Sequence, residues 1–177
     1  MSRWEWAGLH YRRWATRRLV EDPPAVLAIA LAHLRSARYC LVVTDGPAGP
    51  SARAVEPFRP TAGMVIRFGT DPGSRKIAEI EETGRCLLVY QRNLRQACVV
   101  LECEAAVEEP SGHPRFKPLW RAFWPVGPTS ADYVVVTCRP VAVEVWDGRA
   151  VVAPPPFGRR SLRLVHVDGQ WRVDPTG

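Results

Sequence analysis

The residues of this sequence best suited to chemistry form one short segment, residues 70–76 (TDPGSRK). The hydroxyls of Thr70 and Ser74 are followed by Arg75, a planar two-pronged donor, and by Lys76, a point charge. The segment lies where a predicted strand ends and a predicted helix begins, so unpaired amides and the positive end of the helix dipole also favour an anion. The spacing predicts a phosphate-binding segment. A capped helix with solvated basic side chains is the alternative on spacing alone.

Short strands with tight connections are the elements predicted to position this segment. Seventeen Pro and thirteen Gly are spread through the chain, as expected for a fold with many turns. The clearest pattern is the apolar alternation over 97–107, which predicts a strand with one buried face. The full pattern predicts helices over 24–36 and 74–83, strands over 39–44, 51–59, 64–69, 85–91, 97–107, 133–138 and 141–146, and a hairpin of strands 162–167 and 170–173. This order predicts a mainly β (α+β) fold, a closed or partly closed antiparallel barrel with flanking helices.

Three further segments are marked by aromatic residues or by proline. Residues 1–20 place four aromatic side chains among five arginines, and we expect them to pack along an edge of the fold. The aromatic spacing over 116–124 predicts another helix, with Trp120 and Trp124 in the core. Pro140 predicts a break or a bulge between the two late strands.

The composition describes one ordinary globular domain over residues 1–177. Lys plus Arg number 24 against 18 Asp plus Glu, a formal charge of +6, and 46% of the residues are hydrophobic. These values exclude a disordered chain, a collagen and a coiled coil. The basic excess is modest and scattered, so it permits a nucleic-acid partner without implying one, and we expect none.

Cysteine and histidine spacing argues against disulfides and metals. The five cysteines include no CxxC pair, and their odd number does not suit a disulfide framework, so we expect reduced thiols and a cytoplasmic protein. The four histidines lie far apart, without a Cys or carboxylate at ligand spacing, so we expect no metal site. The longest apolar stretch, 25–34, is about half the length that a bilayer crossing requires, so we expect no membrane partner.

The stretch FGTDPGSRKIAEIEETG resembles the strand, loop and helix of the pyridoxamine 5′-phosphate oxidase-like flavin-binding split-barrel superfamily. In that family a Thr and a Ser-Arg-Lys at the helix start hold the flavin phosphate. Arg95-Gln96 resembles the family's Arg-Gln before its long central strand, whose Gln reaches the flavin ring. Arg53 resembles an arginine of the second strand that approaches the cofactor, and Trp146 a tryptophan that borders the flavin.

The resemblance spans residues 25–147 and implies an antiparallel split β-barrel of Greek-key type. Residues 1–22 then form an N-terminal aromatic and arginine-rich segment, and residues 148–177 a C-terminal hairpin extension. The resemblance implies FMN as the cofactor and a homodimer with flavin at its interface, Gln96 coming from the second subunit. The implied cofactor-binding residues are Arg53, Arg59, Gly69, Thr70, Ser74, Arg75, Lys76, Gln96 and Trp146.

Two departures from the oxidases narrow the expected activity. The second strand of true pyridoxamine phosphate oxidases has a Lys where this chain has Phe58, and Arg59 replaces it only with a one-residue shift. The terminal segment at 157–161 reads FGRRS and lacks the histidine of those oxidases. Vitamin B6 oxidation is therefore poorly supported, and the pattern is closer to the general-stress type of split barrel.

Three functions remain compatible with these residues. The first is an FMN-dependent oxidoreductase of unknown substrate, with hydride transfer at the flavin ring and a reductant such as NAD(P)H. The second is a non-catalytic protein that binds flavin, a deazaflavin or haem for storage, sensing or stress protection. The third is a nucleic-acid-binding barrel, suggested by the positive charge and the interspersed aromatic residues.

Overall fold

A computed structural model describes residues 2–17, 19–108, 116–149, 152 and 160–174. Within them it contains three α-helices and eight β-strands. The helices are α1 (Arg3–Thr16), α2 (Pro23–Ser36) and α3 (Arg75–Thr83). The strands are β1 (Cys40–Thr44), β2 (Ser51–Val55), β3 (Ile66–Thr70), β4 (Arg85–Arg92), β5 (Ala97–Glu108), β6 (Val134–Asp147), β7 (Leu162–Val167) and β8 (Gln170–Val173).

All described strand pairs are antiparallel, and they form one sheet in the order β2-β1-β4-β5-β6-β7-β8, with β3 also paired to β6. The two halves of the long strand β6 have different partners, since β3 pairs with residues 134–138 and β7 with residues 142–145. Beyond the end of β2, Pro57 forms an isolated bridge with Phe68 of β3. Strands β2, β1, β4, β5, β6 and β3 therefore curve into a barrel that is joined at one point by a bridge rather than a ladder. The predicted mainly β split barrel is confirmed.

The break expected near Pro140 is a bulge inside one continuous strand. Glu102 pairs with Ala142 and Cys103 pairs with Pro140, so Val141 is the extra residue of β6. A proline lacks the amide proton that a regular ladder uses, and a bulge relieves this requirement locally. The bulge lies between the half of β6 that pairs with β3 and the half that pairs with β7.

Two of the helices begin and end close to the predicted residues. The carboxylate of Asp22 accepts the amide of Ala25 at 3.1 Å and caps α2, and prolines occupy the first turn. Helix α3 ends at Gly84, whose φ of 66° is the left-handed conformation that favours glycine. Both helices bury one apolar face against the barrel.

A second, smaller core lies at one end of the barrel and is mostly aromatic. The rings of Phe58 and Trp120 lie 5.0 Å apart, and those of Trp124 and Tyr133 also lie 5.0 Å apart. The buried members are Phe58, Trp120, Tyr133 and Val135, with Phe116 and Trp124 packed against them. The expected core role of the two tryptophans is confirmed, although the helix predicted there is a short 3₁₀ turn over Pro118–Ala122.

The N-terminal segment differs from its prediction, because it is a helix with an exposed surface rather than an edge element. Ser2 and Glu5 form a reciprocal capping box that starts α1. Trp4 is 86% exposed, and Trp6, Tyr11 and Trp14 are also exposed. Among the described helices, none is long and apolar enough to cross a membrane.

Candidate functional site

A buried carboxylate organises the polar residues at one end of the barrel. Glu79, on α3, is 5% exposed. Its Oε2 atom accepts hydrogen bonds from Arg53 Nη2 at 2.9 Å and from the Thr44 hydroxyl at 2.5 Å. Arg75 Nε lies 3.1 Å from Glu79 Oε1, one helical turn away. Strands β1 and β2 and helix α3 are thus joined through one side chain, and Arg53 and Arg75 are fixed beside each other.

The environment of Glu79 keeps it ionised. The hydrogen bond from Thr44 lowers the pKa of the Glu79 carboxyl, and the Arg53 guanidinium lowers it further. Gly46 leaves room for the carboxylate, since a Cβ atom built there would lie 2.7 Å from Glu79 Oε1. Glu79 is absent from the residues predicted to form the site. The sequence pattern that could have identified Glu79 is a carboxylate at helical spacing from Arg75 and directly before Ile80, on the apolar face of α3.

The start of α3 is open to an anion. Ser74 is the N-terminal cap residue, but its hydroxyl donates to the Asp71 carbonyl at 2.8 Å and does not cap the helix amides. The Asp71 carboxylate instead accepts the amide of Gly73 at 2.7 Å. Because no side chain caps the first turn, its amides and the positive end of the dipole remain available. Thr70 is buried at the end of β3, just before this loop.

Lys76 adds a cation at the start of α3. It is half-buried in the first turn of α3, and it forms no ion pair within the part of the chain that the structure describes. Burial lowers the pKa of Lys76, and the positive charge of Arg53 lowers it further, although Asp71 opposes the shift. A bound anion would favour the charged ammonium that these surroundings disfavour.

The other two predicted cofactor-binding residues in this part of the chain are Arg59 and Gly69. Arg59 is exposed and makes no hydrogen bond or ion pair with any described residue. Phe58, at the place of the family's lysine, is buried in the aromatic core. Gly69 lies under the ring of Tyr133, since a Cβ atom there would lie 2.3 Å from Tyr133 Cε2. This close packing explains why the residue at position 69 is a glycine.

Gln96 and Trp146 form a second group. Gln96 has a left-handed backbone (φ 51°) after the 3₁₀ turn Asn93–Arg95, and its carbonyl accepts the amide of Gly148 at 3.1 Å. A Cβ atom on Gly148 would lie 3.7 Å from Gln96 Oε1 and 3.8 Å from Trp146 Cη2, so both side chains adjoin this glycine. Trp146 Nε1 is buried and has no hydrogen-bond partner among the described residues. This unused donor fits a site that a further group completes.

A buried hydrogen bond between His33 and Asp147 holds the strand end beneath this second group. His33 Nε2 of α2 lies 2.6 Å from Asp147 Oδ2, and both residues are buried. The other oxygen of Asp147 accepts the amide of Arg149 at 2.8 Å. Helix α2 thereby fixes the end of β6, where Trp146 lies.

The two groups lie at opposite ends of the sheet. Val43 pairs with Leu87, so the end of β1 at Thr44 lies near the start of β4, whereas Gln96 follows the pair Arg92 and Ala97 at its far end. At about 3.4 Å per residue, the six steps from Cys86 to Arg92 span about 20 Å. We call these two groups half-sites: the first contains Arg75, Lys76 and Glu79, and the second contains Gln96 and Trp146. The strand register keeps the two half-sites apart within one chain.

An open cavity of about 780 Å³ adjoins the first group. It reaches Thr44 and Asp45 and extends across the outer surface of β4 and β5. Its lining also includes Val43, Leu87, Glu102, Glu104 and Val141. A ligand anchored at the start of α3 would have space beside it on this surface.

Comparison with known proteins supports the fold. No family model and no curated protein sequence matches the chain. Among solved structures, General Stress Protein 26 from Bacillus anthracis str. Sterne aligns with a TM-score of 0.58 at 21% identity, over 67% of this chain and 92% of that one. A pyridoxamine 5′-phosphate oxidase-related, FMN-binding protein from Nostoc punctiforme aligns with a TM-score of 0.59 at 18% identity, over 88% and 97%.

PhzG from Burkholderia lata, in complex with tetrahydrophenazine-1-carboxylic acid, aligns with a TM-score of 0.60 at 17% identity, over 88% of this chain and 92% of that one. Identities this low establish a shared fold rather than a shared activity. The resemblance found in the sequence is confirmed by these neighbours: the chain has the fold of the pyridoxamine 5′-phosphate oxidase-like and general stress protein 26 structures.

Proposed function

We propose that this protein binds FMN and acts as a flavin-dependent oxidoreductase. The observation that supports the proposal most directly is Lys76, a half-buried cation at an uncapped helix start that forms no ion pair with any described residue. A phosphate monoester suits this position because it accepts several hydrogen bonds and supplies negative charge. The structural neighbour from Nostoc punctiforme, which is described as FMN-binding, has the same fold.

The residues present fit a phosphorylated flavin. Thr70, Ser74, Arg75 and Lys76 would hold the phosphate, and Arg53 would lie beside it while bound to Glu79. The free indole donor of Trp146 would face the ring together with Gln96. When bound, the flavin ring supplies the hydride chemistry, and the chain's own residues bind it, orient it and exclude water. Arg59 is the weakest of the predicted ligands, since nothing in the described contacts directs it to this cluster.

A homodimer would bring the two half-sites together. The outer surface of β1, β4 and β5 exposes or half-exposes an apolar patch in the middle of the sheet. This outer patch consists of Leu41, Val43, Leu87, Val89 and Val100. A second copy covering it would remove these side chains from water and would place its own Gln96 and Trp146 near the first chain's anion site. We propose this dimer as the form that binds flavin.

Titration of the purified protein with FMN tests the binding site. Lys76→Ala should weaken FMN binding by about 1.5 to 3 kcal/mol, roughly 10- to 100-fold in Kd, because a charge-assisted contact to the phosphate is lost. Arg172→Ala is the matched control, because it removes one exposed cation from β8, far along the sheet from α3. Equal affinities for the two variants would contradict the phosphate assignment, and so would no change of visible absorption on adding FMN to the parent protein.

Binding of a flavin, a deazaflavin or haem without turnover is the second candidate function. Phe116, Trp120 and Trp124 pack against one another in the aromatic core, so this segment offers few polar groups to a substrate. Anaerobic mixing of the FMN-loaded protein with NADH or NADPH separates the two functions. Rapid bleaching of the flavin absorption supports the oxidoreductase, and its absence with either nucleotide supports storage, sensing or protection.

A further inference from the structure

Four of the five cysteines lie buried inside the barrel, and none of them belongs to either half-site. Cys86 is at their centre: its Sγ atom lies 3.6 Å from Cys138 Sγ, and the thiol of Cys103 is close enough to lower its pKa. Cys86 and Cys103 face each other directly across β4 and β5. We infer that Cys86 and Cys103 are an oxidisable pair, which hydrogen peroxide converts into an intrachain disulfide. The buried cysteines are Cys40, Cys86, Cys103 and Cys138.

Backbone geometry selects Cys103 over Cys138 as the disulfide partner. A disulfide requires Cα atoms about 4.4 to 6.8 Å apart. Residues directly opposite in an antiparallel pair have Cα atoms about 4.5 to 5.5 Å apart, so Cys86 and Cys103 meet this requirement. Cys138 lies on β6, which β5 separates from β4, and two strand spacings amount to about 9.6 Å. The thiol of Cys138 thus reaches Cys86 by hydrogen bonding, whereas its backbone is too distant for a bridge.

The surroundings make Cys86 the attacking thiol. Hydrogen bonds with the thiols of Cys103 and Cys138 lower the pKa of Cys86, which favours its thiolate. The hydrogen bond with Cys86 and burial both raise the pKa of Cys103, which stays protonated until its partner reacts. Cys86 and Cys103 are 5% and 2% exposed, and the open cavity of about 780 Å³ meets both residues from the outer face of the sheet, opposite to their thiols. We therefore expect slow oxidation, in which peroxide, little larger than water, enters when the barrel opens locally.

The oxidation balances in two steps. The Cys86 thiolate attacks one oxygen of hydrogen peroxide; an S–O bond forms, the O–O bond breaks, and the leaving hydroxide takes a proton to become water. Cys103 then loses its proton, and its sulfur attacks Cys86 sulfur; the S–S bond forms and the S–O bond breaks, releasing a second water. Two thiols are oxidised by two electrons in total, and one peroxide is reduced to two waters.

Alkylation followed by peptide mapping tests the inference on the full-length protein. After treatment with hydrogen peroxide and alkylation in denaturant, the parent protein should show two fewer alkylated thiols and a peptide linking Cys86 to Cys103. Cys98→Ser is the matched control, because Cys98 is half-buried on the outer surface of β5, and it should give the same link. Cys138→Ser should also keep the link, whereas Cys103→Ser should abolish it.

Two results would overturn the inference. One is a linked peptide that joins Cys86 to Cys138, because it would show that the strands move enough to defeat the register argument. The other is full alkylation of all five cysteines after peroxide. Since mapping of the parent protein decides between these outcomes, the test does not depend on whether every variant folds. It is also independent of flavin binding.

Discussion

Glu79 shows how one buried side chain determines what its neighbours can do. It holds Arg53 and Arg75 through its two carboxylate oxygens, so both arginines present a fixed edge toward the start of α3. Lys76, one residue further, has no such partner within the described residues. The structure therefore divides the basic cluster into two arginines that Glu79 positions and one lysine that remains for a ligand.

Glu79→Gln should change how stability depends on pH. The folded protein holds the pKa of Glu79 below its ordinary value through the hydrogen bond from Thr44 and the charge of Arg53. The unfolded chain therefore binds the proton at higher pH than the folded chain does, so the stabilisation is complete above the unfolded pKa. It disappears as the pH falls through the folded pKa. The variant should have a lower urea midpoint than the parent at pH 7, and the two midpoints should approach each other as the pH falls through the lowered folded pKa of Glu79.

Glu82→Gln is the control for this measurement, because Glu82 is an exposed carboxylate of the same helix. Its midpoint should follow that of the parent protein across the pH range. If the urea midpoint of Glu79→Gln ran parallel to that of the parent protein down to pH 3, the contacts of the Glu79 carboxylate would contribute nothing to stability.

Local spacing was sufficient to predict the residues of the anion site but insufficient to predict what neutralises them. Ser74, Arg75 and Lys76 are consecutive, so their placement at a helix start follows from the strand and helix boundaries alone. The bond between Arg53 and Glu79 spans 26 positions and depends on how α3 packs against β1 and β2. Such a pair has no signature in a single sequence, and Arg53 was identified only through the family resemblance.

The strands were more predictable than the aromatic segments. The alternation of apolar and polar residues over 97–107 predicts β5, because apolar residues lie on the buried face of a half-buried sheet and polar residues on the other face. Helix α1 was missed because its tryptophans and arginines are distributed around the helix, so no apolar face indicates it. Trp120 lies in the core as predicted and Trp124 packs against it, but Phe123 is exposed, and Pro118 and tight ring packing leave only one short 3₁₀ turn.

Substitution of two tryptophans should separate these two aromatic segments. Trp4→Ala should change the free energy of unfolding by less than about 0.5 kcal/mol, because the side chain is exposed on α1. Trp120→Ala should cost about 3 to 5 kcal/mol, because the ring is buried against Phe58 and its indole nitrogen donates to Glu56 at 3.0 Å. Urea unfolding followed by circular dichroism measures both. A comparable loss in Trp4→Ala would show that α1 packs against the barrel or against another copy.

The separation of the half-sites is a property of the whole barrel. Residues 76 and 96 are only 20 positions apart in the chain, and nothing in that spacing reveals that β4 intervenes and carries Gln96 to the far end of the sheet. Once the register is known, about 20 Å of strand separates the groups, which supports the proposal that Gln96 acts on the flavin of a second subunit. The dimer proposal and the flavin proposal therefore depend on each other.

Mixed dimers with one defect in each half-site test that dependence. When Lys76→Ala is on one chain and Trp146→Ala is on the other, a site shared between chains leaves one pair of half-sites intact, from the unaltered Trp146 and the unaltered Lys76. When both substitutions are on one chain and the partner is unaltered, each shared site contains one defect. We therefore expect one tight FMN site per dimer in the first arrangement and none in the second, measured by FMN titration of dimers purified through two different affinity tags.

The opposite result is equally informative, because a site formed within one chain reverses the expectation. The dimer with both substitutions on one chain would then retain one tight site in its unaltered partner, and the dimer with one substitution on each chain would retain none. Homodimers of each single variant provide the baseline, since each should lose tight binding at both sites in either case. The experiment thus decides where Gln96 and Trp146 act without requiring any knowledge of the substrate, and it links the strand register of one chain to the assembly in which that chain binds its ligand.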